Sequence, residues 1–246
     1  VMNKGLFEVS EEGTPQGGPL SPLLSNIMLN ELDKELERRG LPFVRYADDS
    51  MIFCKSKRAA RRVKESITRF IEGTLYLKVN KEKTVVSYVR GVKYLGYSFY
   101  VMKGKYRLTV HPKSKAKMKL SLKELTNRSN GWGYVKRKQK LKDYIRGWIG
   151  YYHLADMKRF LLDTDEWLRR RIRMCIWKAW KKPKTKVGNL IKCGIEKYKA
   201  CEWGNTRKGY WRIADSPILK VAINNDSLRK AGYPTLMGSY LEWYPK

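Results

Sequence analysis

The feature that most constrains the fold of this chain is a pair of short apolar runs around two adjacent aspartates, within residues 43–54. Both runs are rich in aromatic and β-branched residues and flank the turn-forming segment 47–50, a pattern that predicts a β-hairpin with two carboxylates at its tip. Taken alone, the hairpin favours ordinary turn chemistry, because Asp is a common turn residue. The alternative is a cation site: adjacent carboxylates repel each other, and such hard oxygen ligands suit Mg²⁺.

A loop upstream of the hairpin is the second unusual feature. Segment 13–22 contains three glycines and three prolines, and Ser21-Pro22 predicts the N-cap and first position of a helix. Gly17 and Gly18 allow a ligand to approach the backbone, and the following helix N-terminus favours anionic groups. A tight loop before a core helix explains the same residues equally well.

Hydrophobic periodicity predicts an α+β fold. In the first part we expect helices at 22–39 and 57–71, the hairpin between them, extended segments at 75–80 and 84–89, and strands at 92–101 and 106–110. The first helix is predicted to bury a stripe formed by Leu23, Leu24, Ile27, Met28 and Leu32. Gly96 within a strand indicates a bulge or a close backbone approach. From residue 112 onward the pattern is helical, with helices expected at 113–126, 136–152 and 156–180.

The charge of the chain indicates a polyanionic partner. Lys and Arg number 53 against 23 Asp and Glu, a net charge of +30. Residues 1–111 carry 20 basic and 12 acidic side chains, whereas residues 112–246 carry 33 and 11 and contain all eight tryptophans. This shift predicts one region for chemistry and one for binding, with nucleic acid as the partner. No transmembrane run, signal peptide or lipidation motif suggests a membrane partner, so we expect an intracellular protein.

A basic run in the last predicted long helix is the strongest candidate for nucleic-acid binding. Its expected solvent-facing cations are Arg169, Arg170, Arg171, Arg173, Lys178, Lys181 and Lys182. A solvated helix face is the alternative, but few carboxylates are available to offset these charges, so phosphates are the better partners. The four cysteines have no CxxC spacing and lie far from both histidines in sequence, which argues against a zinc site.

Several motifs in a fixed order resemble those of one protein family. They are TPQGGPLSP at 14–22, YADD at 46–49, LKVNKEKT at 77–84 and YLGY at 94–97, with WLRRRIR at 167–173 and GYWR at 209–212 in the second half. Together they resemble the reverse transcriptases encoded by bacterial group II introns. The resemblance implies a partial reverse-transcriptase palm, an antiparallel sheet with helices, at 1–111, followed by a basic helical thumb or maturase domain at 112–246.

The resemblance also implies roles for individual residues. Asp48 would bind two catalytic Mg²⁺ ions with Asp49 beside it, and Lys83 would approach the triphosphate of the incoming dNTP. The expected nucleotide- and template-binding residues are Gln16, Gly17, Gly18, Pro19, Tyr46 and Ala47. Leu95 and Gly96 would form the primer grip, and the basic helices would hold the RNA/DNA duplex and the intron RNA. A bacterial, cytoplasmic location follows from the same resemblance.

One departure from the family pattern limits this expectation. The family palm has a further metal-binding Asp upstream of the PQGG loop, preceded by the fingers, and no Asp precedes Asp33 here. Together with the absence of a starting Met, this predicts a fragment that needs an upstream fingers and palm segment and cannot polymerise alone. The alternatives are a non-catalytic RNA-binding maturase, or a reverse transcriptase of the retron, diversity-generating or CRISPR-linked type, which the basic second half disfavours.

Overall fold

The computed structural model describes residues 2–3, 6–7 and 18–243, and the chain divides into two compact units. The first unit is Val1–Tyr94 and the second is Leu95–Lys246. The boundary between the two units therefore lies earlier in the sequence than the predicted boundary at 111/112. That boundary separates regions of different charge and remains a prediction about their roles.

The first unit combines two helices with two small hairpins. Its elements are β1 (Met2–Asn3), β2 (Leu6–Phe7), α1 (Ser21–Arg38), β3 (Phe43–Tyr46), β4 (Asp49–Ile52), α2 (Lys57–Gly73) and a 3₁₀ turn at Val89–Gly91. β1 pairs with β2 and β3 pairs with β4, both antiparallel. The core contains Leu32 and Leu36 of α1, Ile67 of α2 and Leu75, and Phe43 and Ile52 of the second hairpin pack against it. The predicted helices and the hairpin at 43–52 are confirmed.

The first half of α1 corrects the predicted buried stripe. Leu32 is buried as expected, but Leu23, Leu24, Ile27 and Met28 are all exposed, with Leu23 at 57% and Ile27 at 61%. The periodicity correctly identifies one apolar face of the helix. Within the described residues, only the C-terminal half of that face lies against the α2 side of the core, so the N-terminal half forms an apolar surface.

The segments at 75–80 and 84–89, which we expected to be extended, form no β-strand, and a turn lies between them. Tyr76 adopts a left-handed backbone conformation with φ of 55°. A turn follows at 81–83, held by Asn80, whose side chain accepts from the Lys83 N–H at 3.0 Å and whose carbonyl accepts from the Thr84 N–H at 3.0 Å. Residues of high β-propensity form a strand only when a neighbouring strand can pair with them. Among the described residues, no strand pairs with residues 75–89.

The second unit begins with a hairpin of β5 (Tyr97–Met102) and β6 (Lys105–Val110), joined through Lys103 and Gly104. β5 begins later than the predicted strand because Leu95 and Gly96 both have positive φ, 50° and 80°. The close approach predicted at Gly96 is confirmed, since a Cβ there would overlap the Tyr152 hydroxyl oxygen. Only glycine fits this position without strain.

Helices form the rest of the second unit. They are α3 (Pro112–Leu125), α4 (Tyr134–Tyr152), α5 (Lys158–Ala179), α6 (Pro183–Lys192), α7 (Lys197–Gly204), α8 (Tyr210–Ile213), α9 (Pro217–Ala222), α10 (Asn225–Lys230) and α11 (Leu236–Trp243). One core joins them, with fully buried Leu141 and Ile145 of α4 and Leu168 and Ile172 of α5 at its centre. The mixed α+β composition is thus confirmed. Among the described helices, none has both the length and the apolar character required to cross a bilayer.

Candidate metal and nucleic-acid sites

The two aspartates of the YADD motif lie at the tip of the β3–β4 hairpin. Tyr46 pairs with Asp49 in the register, so the connection consists of Ala47 and Asp48. Ala47 has φ of 52°, a strained conformation for a residue with a side chain, and it reverses the chain within two residues. Asp48 and Asp49 are exposed, and neither carboxylate forms a hydrogen bond or ion pair within the described residues. Both charges are therefore free to meet a cation.

Arg45 fixes this tip to α1. Its Nε donates to Asp33 Oδ1 at 2.7 Å and its Nη2 to Asp33 Oδ2 at 2.5 Å, while Nη1 donates to Asn26 Oδ1 and to the Ala47 carbonyl, each at 3.0 Å. The hydrogen bonds with Asp33 raise the pKa of Arg45 above its usual value. One guanidinium thus joins a helix, a strand and the turn that carries Asp48. Because Asp33 is engaged in a bidentate pair, it is not a free ligand for the hairpin.

Tyr94 lies beside the second carboxylate. The Tyr94 hydroxyl donates a hydrogen bond to the Asp49 backbone carbonyl oxygen, with an oxygen–oxygen distance of 3.5 Å. Burial, and then the negative charge of Asp49, raise the pKa of the Tyr94 hydroxyl above its usual value, which already lies well above neutral pH. The Asp49 side of the tip therefore has a neutral aromatic neighbour, and Asp48 faces water.

The donor set at the tip fits part of a magnesium site. Mg²⁺ in nucleotidyl-transfer sites is bound by one or two carboxylates together with substrate phosphates and water. Two free carboxylates satisfy that requirement, and within the described residues no group of three or more acidic, His or Cys side chains adds to them. The hairpin by itself therefore offers a two-carboxylate site that depends on further ligands.

The other predicted residues of the nucleotide site are only partly described. Gln16 and Gly17 lie outside the described residues. Gly18 accepts from the Ser21 N–H at 3.2 Å, Pro19 is exposed, and α1 begins without a side-chain cap at its N-cap residue, Leu20. Tyr46 is 66% exposed and Ala47 is exposed beside it. These roles remain predictions.

Lys83 lies on the turn organised by Asn80, and its side chain is exposed. The turn is held against α2, because Lys64 Nζ donates to the carbonyl of the adjacent Thr84. Within the described residues, no hydrogen bond or ion pair joins Lys83 to the hairpin tip. Its predicted contact with a triphosphate is therefore not tested by the geometry.

The predicted primer grip is a rigid backbone turn of the second unit. The Leu95 carbonyl accepts from the Tyr151 hydroxyl at 3.0 Å. The Gly96 carbonyl accepts from the His111 N–H at 3.0 Å and from Ser114 Oγ at 3.1 Å. Helices α3 and α4 thus hold the turn in place, while its role towards a primer remains a prediction.

The arginines of the predicted RNA-binding run differ in their surroundings. We expected all of them to face solvent, but this is wrong for Arg169 and Arg173, which are 5% and 6% exposed. Arg173 donates through Nε to the Ile223 carbonyl and through Nη2 to Asn225 Oδ1, both at 2.8 Å. The reason is that α5 is the central helix of the unit and has neighbours on most of its faces. Their role in RNA binding remains a prediction, and Arg173 joins α5 to the chain around α9 and α10.

Arg170 and Arg171 are half-buried and also hold neighbouring segments. The Arg170 guanidinium lies 3.9 Å from the Trp211 ring centroid and 3.1 Å from Asp215 Oδ2. Arg171 donates to Thr126 Oγ1 at 2.5 Å and to the carbonyls of Lys123 and Thr126. Lys178 is half-exposed, and Lys181 and Lys182 are exposed. Of the seven predicted cations, Lys181 and Lys182 are the most accessible.

Two contacts important to the site were absent from the sequence-based prediction. The Arg45–Asp33 pair joins a strand to a helix, and Tyr94 joins the YLGY motif to Asp49. A weak signal for the first exists in the sequence: strand alternation places Arg45 on the same inward face as Phe43, where a charged side chain needs a partner.

Two family models match this chain. The model described as reverse transcriptase (RNA-dependent DNA polymerase) matches residues 3–99, and the group II intron maturase-specific domain matches residues 115–194. The chain belongs to the group II intron reverse transcriptase and maturase family. The first match includes the hairpin with Asp48 and Asp49, and the second includes most of α3 and all of α4, α5 and α6.

Similar proteins are known from two bacterial species. The chain is 31% identical over 140 residues to protein YkfC of Escherichia coli, a match that covers 43% of this chain and 37% of that protein. It is 27% identical over 160 residues to the group II intron-encoded protein LtrA of Lactococcus lactis, covering 39% of this chain and 27% of LtrA. A match to the Escherichia coli retron Ec86 reverse transcriptase is 34% identical over 79 residues, 30% of this chain and 24% of the relative. These matches span at most about two fifths of each relative's length.

Proposed function

We propose that this chain supplies the YADD part of a polymerase palm and the RNA-binding maturase region of a group II intron reverse transcriptase. The observation that carries the proposal is the pair of free, exposed carboxylates on a two-residue turn that Arg45 holds in place. A basic protein that only bound RNA would have no use for such a pair. The match to a reverse transcriptase model across the hairpin supports the same assignment.

Mg²⁺ is the proposed cofactor, with Asp48 and Asp49 as its ligands on this chain. When bound, it would lower the barrier to nucleotidyl transfer by neutralising phosphate charge and aligning the primer hydroxyl. The chain's own contribution is to hold the two carboxylates in place. The Arg45 clamp limits movement of the turn, and Tyr94 remains a neutral neighbour of Asp49 at neutral pH.

An upstream fingers and palm segment is the proposed partner of the first unit. The exposed apolar face of α1 supports this, because large apolar patches on soluble proteins mark interaction sites. Asp33 is held by Arg45, so a further carboxylate for the metal has to come from outside the described residues. We therefore propose that this chain polymerises only together with that segment.

Primer extension tests the proposal. The assay uses an RNA template with a DNA primer, and compares the chain alone, the chain mixed with the parental fingers and palm segment, and mixtures that carry substitutions. Mg²⁺-dependent extension is expected in the mixture only, and Asp48→Ala should reduce it at least about a thousandfold because a direct metal ligand is lost. Asp163→Ala, which removes an exposed carboxylate of α5, is the matched control and should retain the activity of the mixture. Equal activity of the two variants would contradict the assignment.

A second candidate function is that of an RNA-binding maturase without polymerase activity. The observation that favours it is that two carboxylates alone form an incomplete metal site within the described residues. The match to the maturase-specific domain supports intron RNA binding under either function. If the mixture binds intron RNA tightly but extends no primer, the result would support the maturase function over the polymerase function.

A further inference from the structure

The turn formed by Leu95 and Gly96 is held by two different helices of the second unit. Both residues have positive φ, 50° and 80°, as the two central residues of a type I′ turn do. At the start of α3, the His111 N–H and the Ser114 hydroxyl both donate to the Gly96 carbonyl, at 3.0 and 3.1 Å. From α4, the Tyr151 hydroxyl donates to the Leu95 carbonyl at 3.0 Å. Each carbonyl of the turn therefore has a fixed position.

Tyr151 is bonded to this segment in both directions. The hydroxyl of Tyr97, the residue directly after the turn, donates to the Tyr151 backbone carbonyl. That carbonyl lies in the last turn of α4, where carbonyl groups have no partner within the helix. The segment therefore caps the end of α4, while a side chain of α4 holds the turn. A displacement of either one breaks two hydrogen bonds.

Aromatic packing leaves the turn little room to move. The Tyr97 ring centroid lies 5.2 Å from that of Tyr152 and 6.0 Å from that of Tyr151. The rings of Tyr151 and Tyr152 meet edge to face, with centroids 4.7 Å apart. A Cβ at Gly96 would lie 2.2 Å from the Tyr152 hydroxyl oxygen, so this side chain closes one side of the turn.

The turn has two backbone donors that the rest of the described chain does not use. Within residues 2–3, 6–7 and 18–243, neither the Leu95 N–H nor the Gly96 N–H donates a hydrogen bond. Both residues are partly exposed. Successive N–H groups of a turn suit an anionic acceptor such as a phosphate. Because the protein fixes the carbonyls of this turn, it also fixes the orientation of the peptide groups that carry these donors.

We propose that Tyr151 is a positioning residue of the polymerase, which fixes the Leu95–Gly96 turn and thereby the primer end that this turn is expected to hold. The proposal rests on the proposed function and on the predicted primer grip, and it adds a residue from the maturase-specific match to the polymerase reaction. Tyr151 acts through the Leu95 carbonyl and contacts no substrate. Its effect belongs to alignment, because a misplacement of about 1 Å at a reacting group costs about a hundredfold in rate. The alternative is a turn with a structural role only.

Removal of one hydroxyl group tests this proposal. Tyr151→Phe keeps the ring and removes the donor to the Leu95 carbonyl. Tyr240→Phe is the matched control, because the Tyr240 hydroxyl also donates to a backbone carbonyl of the second unit, that of Ala155, at 2.9 Å. Single-turnover extension by one nucleotide is measured over a range of dNTP concentrations, in the mixture with the fingers and palm segment. Such rate constants describe the bound complex and do not depend on the fraction of protein that is folded.

Tyr151→Phe is expected to lower the maximal single-turnover rate by about tenfold, because the primer end is aligned less often. The dNTP concentration that gives half of this rate should stay within about twofold of the unsubstituted value, because other residues contact the nucleotide. Tyr240→Phe should leave both quantities within about twofold, even if urea denaturation shows a loss of stability, because its buried hydrogen bond lies away from the turn. Ser114→Ala should repeat the Tyr151→Phe pattern with a smaller loss, since the His111 N–H still holds the Gly96 carbonyl.

Three results would overturn the proposal: an unchanged rate in Tyr151→Phe, an equal loss of rate in Tyr240→Phe, or a change confined to the dNTP requirement. If Tyr151→Phe fails to fold, Ser114→Ala decides between the same outcomes. Each of these results leaves the proposed function intact as long as the unsubstituted mixture extends the primer and Asp48→Ala does not. An inactive unsubstituted mixture would overturn both.

Discussion

At the scale of residues, Arg45 forms an ion pair with Asp33 that the hairpin motif does not predict. The sequence predicts the turn and its carboxylates because apolar runs and turn residues are local signals. It does not predict the Arg45–Asp33 pair, because two residues on different elements meet only after the chain has folded. The pair gives the tip its anchor and removes Asp33 from the set of free carboxylates.

Substitution of Arg45 is expected to destabilise the first unit. The side chains of Arg45 and Asp33 are 13% and 21% exposed, so the pair lies between a surface and a buried salt bridge. We predict that Arg45→Ala lowers the free energy of unfolding by about 1–3 kcal/mol, and that Arg45→Lys has an intermediate effect because it keeps the charge but loses the bidentate geometry. Urea denaturation followed by circular dichroism measures both changes.

The control for this prediction is Arg58→Ala, which removes an exposed arginine of α2 that has no hydrogen-bond or ion-pair partner within the described residues. It should change the stability by less than about 0.5 kcal/mol. If Arg45→Ala were as stable as this control, the pair would not anchor the hairpin.

At the scale of elements, the sequence predicted the long helices and missed the short ones. α1 to α5 follow an apolar period near 3.6 over many residues, and their predicted bounds agree with the structure to within about two residues. α8, α9 and α10 have four to six residues each, too few for a helix to form without tertiary packing. The composition at 75–80 and 84–89 predicted extended segments, and within the described residues these segments pair with no strand.

The position of α5 explains why its arginines were misjudged. A run of cations normally marks a solvated helix face, but α5 lies at the centre of the unit, where Arg169 and Arg173 are buried. The sequence could not reveal this, because α8, α11 and the segment that joins α9 to α10, all of which contact α5, were themselves not predicted. The arginine run therefore contributes to the packing of the unit as well as to its charge.

A stability and binding comparison tests this structural role of Arg173. Arg173→Met should lower the free energy of unfolding by about 2–4 kcal/mol, because the Ile223 carbonyl and Asn225 lose their buried donor. The RNA affinity of the folded protein should remain within about twofold of the unsubstituted value. Lys182→Gln should show the opposite pattern, with weaker RNA binding and almost unchanged stability.

The two variants together separate packing from binding. Thermal or urea denaturation gives the stability, and RNA titration at a temperature where both variants are folded gives the affinity. If the Arg173→Met protein were stable but bound RNA weakly, the result would show that Arg173 contacts RNA.

At the scale of the whole molecule, composition distinguishes two parts of the chain. The excess of positive charge and all eight tryptophans lie in residues 112–246, and the maturase-specific match lies within that part. The free carboxylates lie in the first unit, within the reverse transcriptase match. The division of roles between residues 1–111 and 112–246 remains a prediction. The structure adds that many cations of the second unit hold its helices together and that others remain free for phosphates.

The central claim is that the hairpin tip binds the metal ions of a polymerase, and metal-directed cleavage tests it most directly. In the mixture with the fingers and palm segment, primer-template and nucleotide, Fe²⁺ replaces Mg²⁺. Added hydrogen peroxide oxidises the bound Fe²⁺ and yields hydroxyl radicals, ascorbate reduces the iron again, and the radicals cut the polypeptide backbone near the metal. We predict cuts within residues 43–52 that disappear in Asp48→Asn and persist in Asp163→Asn. Cuts elsewhere in the chain, or cuts at the hairpin that persist in Asp48→Asn, would contradict the account.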